Sequence, residues 1–319
     1  MQSPSHTLSP RHSSEMTMGL TLMFVSVMLS PIVDIFSKLA AVTIPPVEVT
    51  AARFLFQCLF ALPMIVWKRS WVPGTWRQRR IHALRGGLLV LSMITFVTTL
   101  QVMEVADAIA IFFVQPIILT VLSSIFLKET VGWRRYAACV VGFGGALLII
   151  QPSFQQLGFV ALLPVVTALC GSIFVLLTRV LAHSEPASSM QLNTGLWGLL
   201  FSMILLAIGS LTGNAILSPV MPDATAALHL LGVGVTAAVC GMLTLYAYRA
   251  VRASTLAPLQ YFEIISATIF GWLVFDNFPN MLKWVGILII ICSGLYILWR
   301  ERRLASKPVS DTSQSLRAP

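Results

Sequence analysis

Ten apolar runs follow one another along this chain with almost nothing between them. They lie at about 17–39, 46–67, 83–102, 106–127, 133–150, 157–179, 190–211, 225–248, 253–275 and 281–299. About 20 apolar residues in helix span the hydrocarbon core of a bilayer. Most connections are only a few residues long, so none has room for a soluble domain. The expected fold class is therefore all-α, a polytopic membrane protein with ten transmembrane helices. Composition agrees: 57% of the residues are hydrophobic and 10% charged, against about 25% charged in a soluble domain.

The net charge of +9 does not point to nucleic acid, because the basic residues sit in short loops between apolar runs. If the N-terminus is inside, only Lys38, Arg53 and Lys283 of the 21 lysines and arginines fall outside the inside segments. Outside loops carry Glu104, Asp107, Asp223 and Asp276 instead. This asymmetry predicts that both termini are cytoplasmic and that the number of spans is even. The first run is too long for a signal-peptide core and is kept as a span. Residues 1–16 are expected to be a disordered cytoplasmic tail and residues 300–319 a basic cytoplasmic tail. The five cysteines all lie in apolar segments without metal-ligand spacing, and the five histidines do not cluster. No metal and no cofactor is expected.

The two halves echo each other. Ser37-Lys38 stands seven residues before Pro45, as Thr178-Arg179 stands seven before Pro186. SSIFLKETVGWRRYAACVVGFGGALLI (123–149) resembles ATIFGWLVFDNFPNMLKWVGILIIICSGLYI (267–297) in its order of bulky span, acidic residue, short loop and glycine-containing span. Five spans is an odd number, so a second copy enters the membrane inverted. Inverted repeats with a site near the midplane are a recurring transporter architecture. The expected units are residues 17–150 and 157–299.

Three stretches carry a family resemblance: SKLAAVTIPPVEVTAARFLFQ (37–57), VADAIAIFFVQPIILTVLSSIFLKETVGWRRYAACVVGFGGALLI (105–149) and APLQYFEIISATIFGWLVFDNFPNMLKWVGILIIICSGLYILWRERR (257–303). In their order and spacing they resemble the drug/metabolite transporter superfamily, specifically its EamA-type members with ten spans in two five-helix repeats. The resemblance covers about residues 17–303. Asp276 stands where the family more often has Glu, and Glu263 where the first repeat has Pro116. The resemblance implies a transporter of small metabolites without selecting the substrate. The expected location is the bacterial inner membrane.

Ionisable residues inside spans are expensive and usually mark pathways or sites. Glu263 lies near the middle of the ninth run, on a face with Leu256, Leu259, Gln260, Ser266, Ala267 and Phe270. It can serve a solute or proton path, or glue helices together. Asp34 and Lys38 are one helical turn apart and can pair. With Glu48 and Arg53 they can form a network near the outer side, as a gate, an anchoring site or a structural lock. Gln101, Gln115 and Tyr246 are further cavity candidates, and Phe112 and Phe113 candidates to stack on a flat ring. Pro116 and Pro258, each in the fourth span of its repeat, are hinge candidates. Gly142, Gly144, Gly145, Gly286 and Gly294 permit close helix packing or a homodimer.

The expected function is a secondary transporter, read as an exporter of a small, amino-acid-like metabolite by alternating access. Lys38 and Arg53 would meet a carboxylate, and Glu263 an amine or a coupling proton. The alternative is uptake of a vitamin or a nucleoside-like solute; from another class, a non-transporting membrane scaffold. An enzyme is not expected, since no His-Glu-x-x-His run, paired intramembrane Asp or His cluster occurs. Expected partners are the solute and membrane lipid, with no nucleic acid.

Overall fold

The computed structural model describes residues 10–68, 75–126, 133–181, 185–214, 217–250, 256, 259–260, 262–276 and 279–305. Among these the chain is all-helical, with no strand. In chain order the helices are α1 (Pro10–Ala40), α2 (Pro46–Lys68), α3 (Trp76–Val102), α4 (Val105–Phe112), α5 (Gln115–Phe126) and α6 (Trp133–Leu157). After a 3₁₀ turn at Gly158–Leu162 come α7 (Leu163–Leu181), α8 (Ala187–Thr212), α9 (Ala224–Ala250), α10 (Phe262–Phe275) and α11 (Met281–Ala305). Six stretches are long and apolar enough to cross a membrane: Met16–Ala40, Trp76–Val102, Val105–Phe126, Gly158–Thr178, Ser189–Thr212 and Ala224–Thr244. Val140–Ile149, Phe262–Phe275 and Met281–Tyr296 are shorter apolar helices.

Local chemistry explains several helix ends. Thr75 and Gln78 form a capping box at the start of α3, each side chain serving the other's backbone. Gly213, with φ of 66°, closes α8 in the left-handed conformation that a β-carbon disfavours. α1 begins at Pro10, upstream of the apolar run, so part of the expected disordered tail is helical. Proline suits a first helical turn, where its missing N–H has no partner to lose.

Two expected spans are not single helices. The fourth is interrupted at Phe113-Val114, and Pro116 gives the reason. Without an N–H it cannot continue the ladder back to Phe112, so α4 ends there and α5 starts afresh at Gln115. In the ninth, Leu256 is helical, Leu259 and Gln260 form a 3₁₀ turn, and α10 runs from Phe262. Glu263 therefore lies in the first turn of α10 rather than in the middle of a helix. Pro258 lies outside the described residues.

Helix pairing follows a two-fold pattern. α1 packs on α9, and α7 on α3. α2 packs on α9 as α8 packs on α3, and α10 on α1 as α5 on α7. α2–α8 and α6–α11 close the bundle. Exchanging the spans of one half for those of the other leaves this set unchanged. Single hydrogen bonds obey the same exchange. Ser26 Oγ meets Thr244 Oγ1 at 2.8 Å and donates to the Cys240 carbonyl. Half a chain away, Thr167 Oγ1 meets Thr95 Oγ1 at 2.8 Å and donates to the Ser92 carbonyl. Two of the small-residue positions are used inside the chain: a β-carbon on Gly145 would come within 2.9 Å of the Gly286 carbonyl oxygen, and one on Gly286 within 2.7 Å of the Gly145 oxygen, whereas one on Gly144 would meet nothing within 4 Å. Close α6–α11 contact thus accounts for both glycines. Residues 105–111 of α4 are all buried, which makes this short helix the centre of the apolar core.

Candidate functional site

One face of α1 carries Ser30, Asp34 and Ser37, spaced to lie one above another. α2 faces it with Thr50 and Arg53, and α3 with Met93, Phe96 and Val97. Asp34, Ser37, Thr50, Arg53 and Phe96 line a small cavity with room for about one water. Glu263 adjoins it through Ser30, whose hydroxyl donates to Glu263 Oε1. Asp34, Arg53 and Glu263 act on one another electrostatically. Two carboxylates, on α1 and α10, and one guanidinium, on α2, thus lie within electrostatic reach of one another. Among the described residues no ion pair closes on Asp34 or Arg53, so both remain available to a polar guest. Such a constellation can hold an ammonium between the carboxylates and a carboxylate on the guanidinium. The start of α10 adds its N-terminal dipole beside Glu263.

Gln115 occupies the related place in the other half. It opens α5 as Glu263 opens α10, and its side-chain amide lies against Gly171 of α7, while Ser172 Oγ donates to its carbonyl. One polar group is neutral and the other acidic, and they stand one position apart in the repeat, since Glu263 matches Pro116, so the two halves are chemically unequal there.

The remaining expected residues disperse. Lys38 does not pair with Asp34. Its ammonium donates to the Met103 carbonyl and lies 5.0 Å from the centre of the Phe275 ring. The four-carbon stem carries the charge past its own helical turn, which spacing along α1 cannot reveal. Glu48 leaves the expected network too, since its Oε2 accepts the Val220 N–H at 3.0 Å. Gln101 is exposed and donates to the Ala41 carbonyl, tying α3 to the α1–α2 connection instead of lining the cavity. Tyr246 is 41% exposed and does not line it either. Gln260 is half-buried in the turn before α10. Phe112 packs on Phe96, with ring centres 6.0 Å apart, so an aromatic pair adjoins the cavity.

Sequence reading missed two clusters, one at each end of the bundle. Where α3 ends, Lys283 Nζ bonds Asp107 Oδ2 at 2.6 Å and Glu104 Oε2 at 3.0 Å, joining α11 to the start of α4. Asp107 is 1% exposed. Where α3 begins, His82 Nε2 lies 2.8 Å from Glu185 Oε2, and Arg85 packs beside them. The i, i+3 spacing of Glu104–Asp107 and of His82–Arg85 was the available signal. Their partners come from distant segments. Ser30 and Phe96 were also missed, and nothing in their residue types sets them apart.

The family model described as the EamA-like transporter family matches residues 17–151 and again 158–299. The chain belongs to the EamA-like transporter family. It is an integral membrane protein of the transporter class, and the two matches fall on its two halves. It is 27% identical over 295 residues to an S-adenosylmethionine uptake transporter of Rickettsia bellii (strain RML369-C), covering 92% of this chain and 97% of that one. It is 31% identical over 264 residues to a riboflavin transporter of Rhizobium johnstonii, covering 80% and 82%. A riboflavin transporter of Vibrio cholerae is 27% identical over 273 residues. A crystal structure of another protein shares the fold with a TM-score of 0.63, at 14% identity, over 92% of this chain and 99% of that one.

Proposed function

We propose that the protein is a secondary uptake transporter for a small organic solute that joins a charged amino-acid-like head to a flat ring, of the S-adenosylmethionine type. The observation that carries this is the convergence of Asp34, Arg53 and Glu263 beside the Phe96–Phe112 pair. An α-amino and an α-carboxylate group would be matched by the carboxylates and the guanidinium, and a ring by the aromatic pair. The names of the relatives favour uptake over the export expected from the sequence. A flat, largely uncharged solute such as riboflavin is the second reading, favoured by the Phe96–Phe112 pair taken alone.

The architecture behind this function is ten spans in two inverted five-helix repeats, residues 17–150 and 157–299, with both termini cytoplasmic in a bacterial inner membrane. The exchange-invariant helix pairing supports it. Alternating access would rock the halves about the cavity, with the break before Gln115 and the turn before Glu263 as flexing points. The test is uptake of labelled S-adenosylmethionine and of riboflavin into proteoliposomes. Saturable entry of the first, blocked by excess unlabelled solute and lost in Arg53→Met, is expected. Entry of riboflavin alone would select the second reading, and entry of neither would sink both.

A further inference from the structure

At the end of the bundle where α3 begins, three side chains form a closed set. His82 is 2% exposed on its side chain, and the Glu185 side chain is fully buried. Arg85 Nη1 lies 3.2 Å from His82 Nδ1. A guanidinium is always a donor, so Nδ1 must accept, and the ring is neutral with its proton on Nε2. That proton points to Glu185 Oε2, 2.8 Å away. One cation, one anion and one neutral ring therefore balance. Arg85 also grips α7: its Nε donates to Thr178 Oγ1 at 3.2 Å, and its guanidinium lies 4.7 Å from the centre of the Phe174 ring. Glu185 Oε1 and Ser189 Oγ, both buried, have no hydrogen-bond partner among the described residues.

We propose that the His82–Arg85–Glu185 cluster is a proton-binding site that holds this end of the bundle shut when empty and releases it when loaded. The proton adds at His82 Nδ1 from water at that end. Nε2–H stays on Glu185. Nδ1 then becomes a donor facing the donors of Arg85, and the buried set carries a net positive charge. Moving Arg85 out to water relieves both, and its bond to Thr178 and its place over Phe174 go with it. The α3–α7 contact loosens at that end, and water reaches Glu185 Oε1 and Ser189. α2, α7 and α8 pack against α3. Besides Glu185, the ionisable residues at that end are Arg77, Arg79 and Arg80 on α3 itself and, adjoining it in sequence, Lys68, Arg69, Arg179 and His183, whose side chains lie outside the described residues. Glu185 and Arg85 are the charged groups acting on His82. In a transporter that alternates its access, this site would couple opening at one end to a proton. That role rests on the uptake reading, but the proton site itself does not.

The test needs no solute. The full chain, with its five native cysteines replaced and Ser189→Cys introduced, is placed in lipid nanodiscs and labelled with a maleimide. A parallel sample adds His82→Gln. Glutamine can donate to Glu185 and accept from Arg85 but takes no proton. Comparing the two at each pH removes the thiol's own titration. The ratio of labelling rates, His82 protein over His82→Gln, is expected to rise about tenfold as pH falls from about 7.5 to about 4.5, an interval that extends below the free-histidine range because a proton added at Nδ1 meets the donors of Arg85. A ratio that stays constant with pH overturns the proposal. Glu185→Gln gives an independent reading if His82→Gln does not fold. It removes the balancing charge, so its labelling rate at about pH 7.5 is expected to be about tenfold that of the protein with Glu185 at the same pH. Slow labelling there also overturns the proposal. A failed uptake assay with a pH-dependent labelling ratio would remove the substrate reading and leave the proton site standing.

Discussion

Ser26 Oγ and Thr244 Oγ1 lie 2.8 Å apart where α1 crosses α9, and the same bond recurs between Thr167 and Thr95 where α7 crosses α3. In both, the hydroxyl of the first-named residue also reaches a carbonyl one turn back, Cys240 or Ser92. Two helices packed closely in an apolar medium need polar groups that satisfy each other, and both crossings use the same solution. Hydrogen bonds between membrane helices are worth about 0.6 kcal/mol on average, up to about 2. Thr244→Val and Thr95→Val are each expected to lower the melting temperature of the purified protein slightly. Because the crossings are distant, the double variant should show the sum. Ser26→Ala with Thr244→Val should show less than its sum, since both remove one bond. Additivity within a pair would mean that the contact contributes nothing.

The α6–α11 contact tolerates far less. A β-carbon on Gly145 meets both the Gly286 carbonyl and the Ile289 side chain at under 3 Å. Backbone cannot yield as a flexible side chain can. Gly145→Val and Gly286→Val are expected to destabilise the protein by about 1–3 kcal/mol or more, as overpacking does. Thermal unfolding in detergent measures it. A melting temperature equal to that of the parent would show that the helices can separate without loss.

How much was legible depended on where each residue's partner came from. The apolar runs and the charge asymmetry exposed the helices, because bilayer thickness sets a length that sequence must meet. Glu263, Asp34 and Arg53 stood out because a charge inside an apolar run has few reasons to be there, and the structure brings these three together. Ser30 was invisible, since serine is common in membrane helices and only the fold sets it against Glu263. Lys38 was assigned to Asp34 on spacing along one helix, whereas its long stem reaches Met103 at the end of α3 and Phe275 of α10. Lys283 and Asp107 are separated by more than half the chain, and no local pattern links them. The break at Phe113-Val114 falls beside Pro116, a hinge candidate in the sequence, but apolar character running straight through it hid that the helix stops there.

Ser30 is a positioning residue in this reading. It fixes one oxygen of Glu263 and stands one turn before Asp34 on the same face of α1. Ser30→Ala is expected to raise the KM for the transported solute about tenfold, with a modest fall in melting temperature. One neutral–charged hydrogen bond is worth about 1.5–3 kcal/mol, so an effect of about tenfold is the scale to look for. Ser30→Thr should restore most of it. A uniform fall in expression and stability with unchanged KM would assign Ser30 to packing instead.

Lys283 presents the sharpest energetic contrast. It neutralises Asp107, whose Oδ2 it bonds and whose Oδ1 has no partner among the described residues. Removing the lysine leaves a carboxylate buried without its cation, and breaking a buried pair in this way costs about 3–5 kcal/mol. Lys283→Met should therefore be severely destabilising. Asp107→Asn combined with Lys283→Met removes the charge as well as its partner, and much of the loss should return, because the pair's own attraction is largely offset by desolvation. Melting temperatures of the two single variants and the double variant decide this. If the double variant is as poor as Lys283→Met alone, the contact to Glu104 or the packing of the lysine stem, not charge balance at Asp107, is what holds α11 to α4.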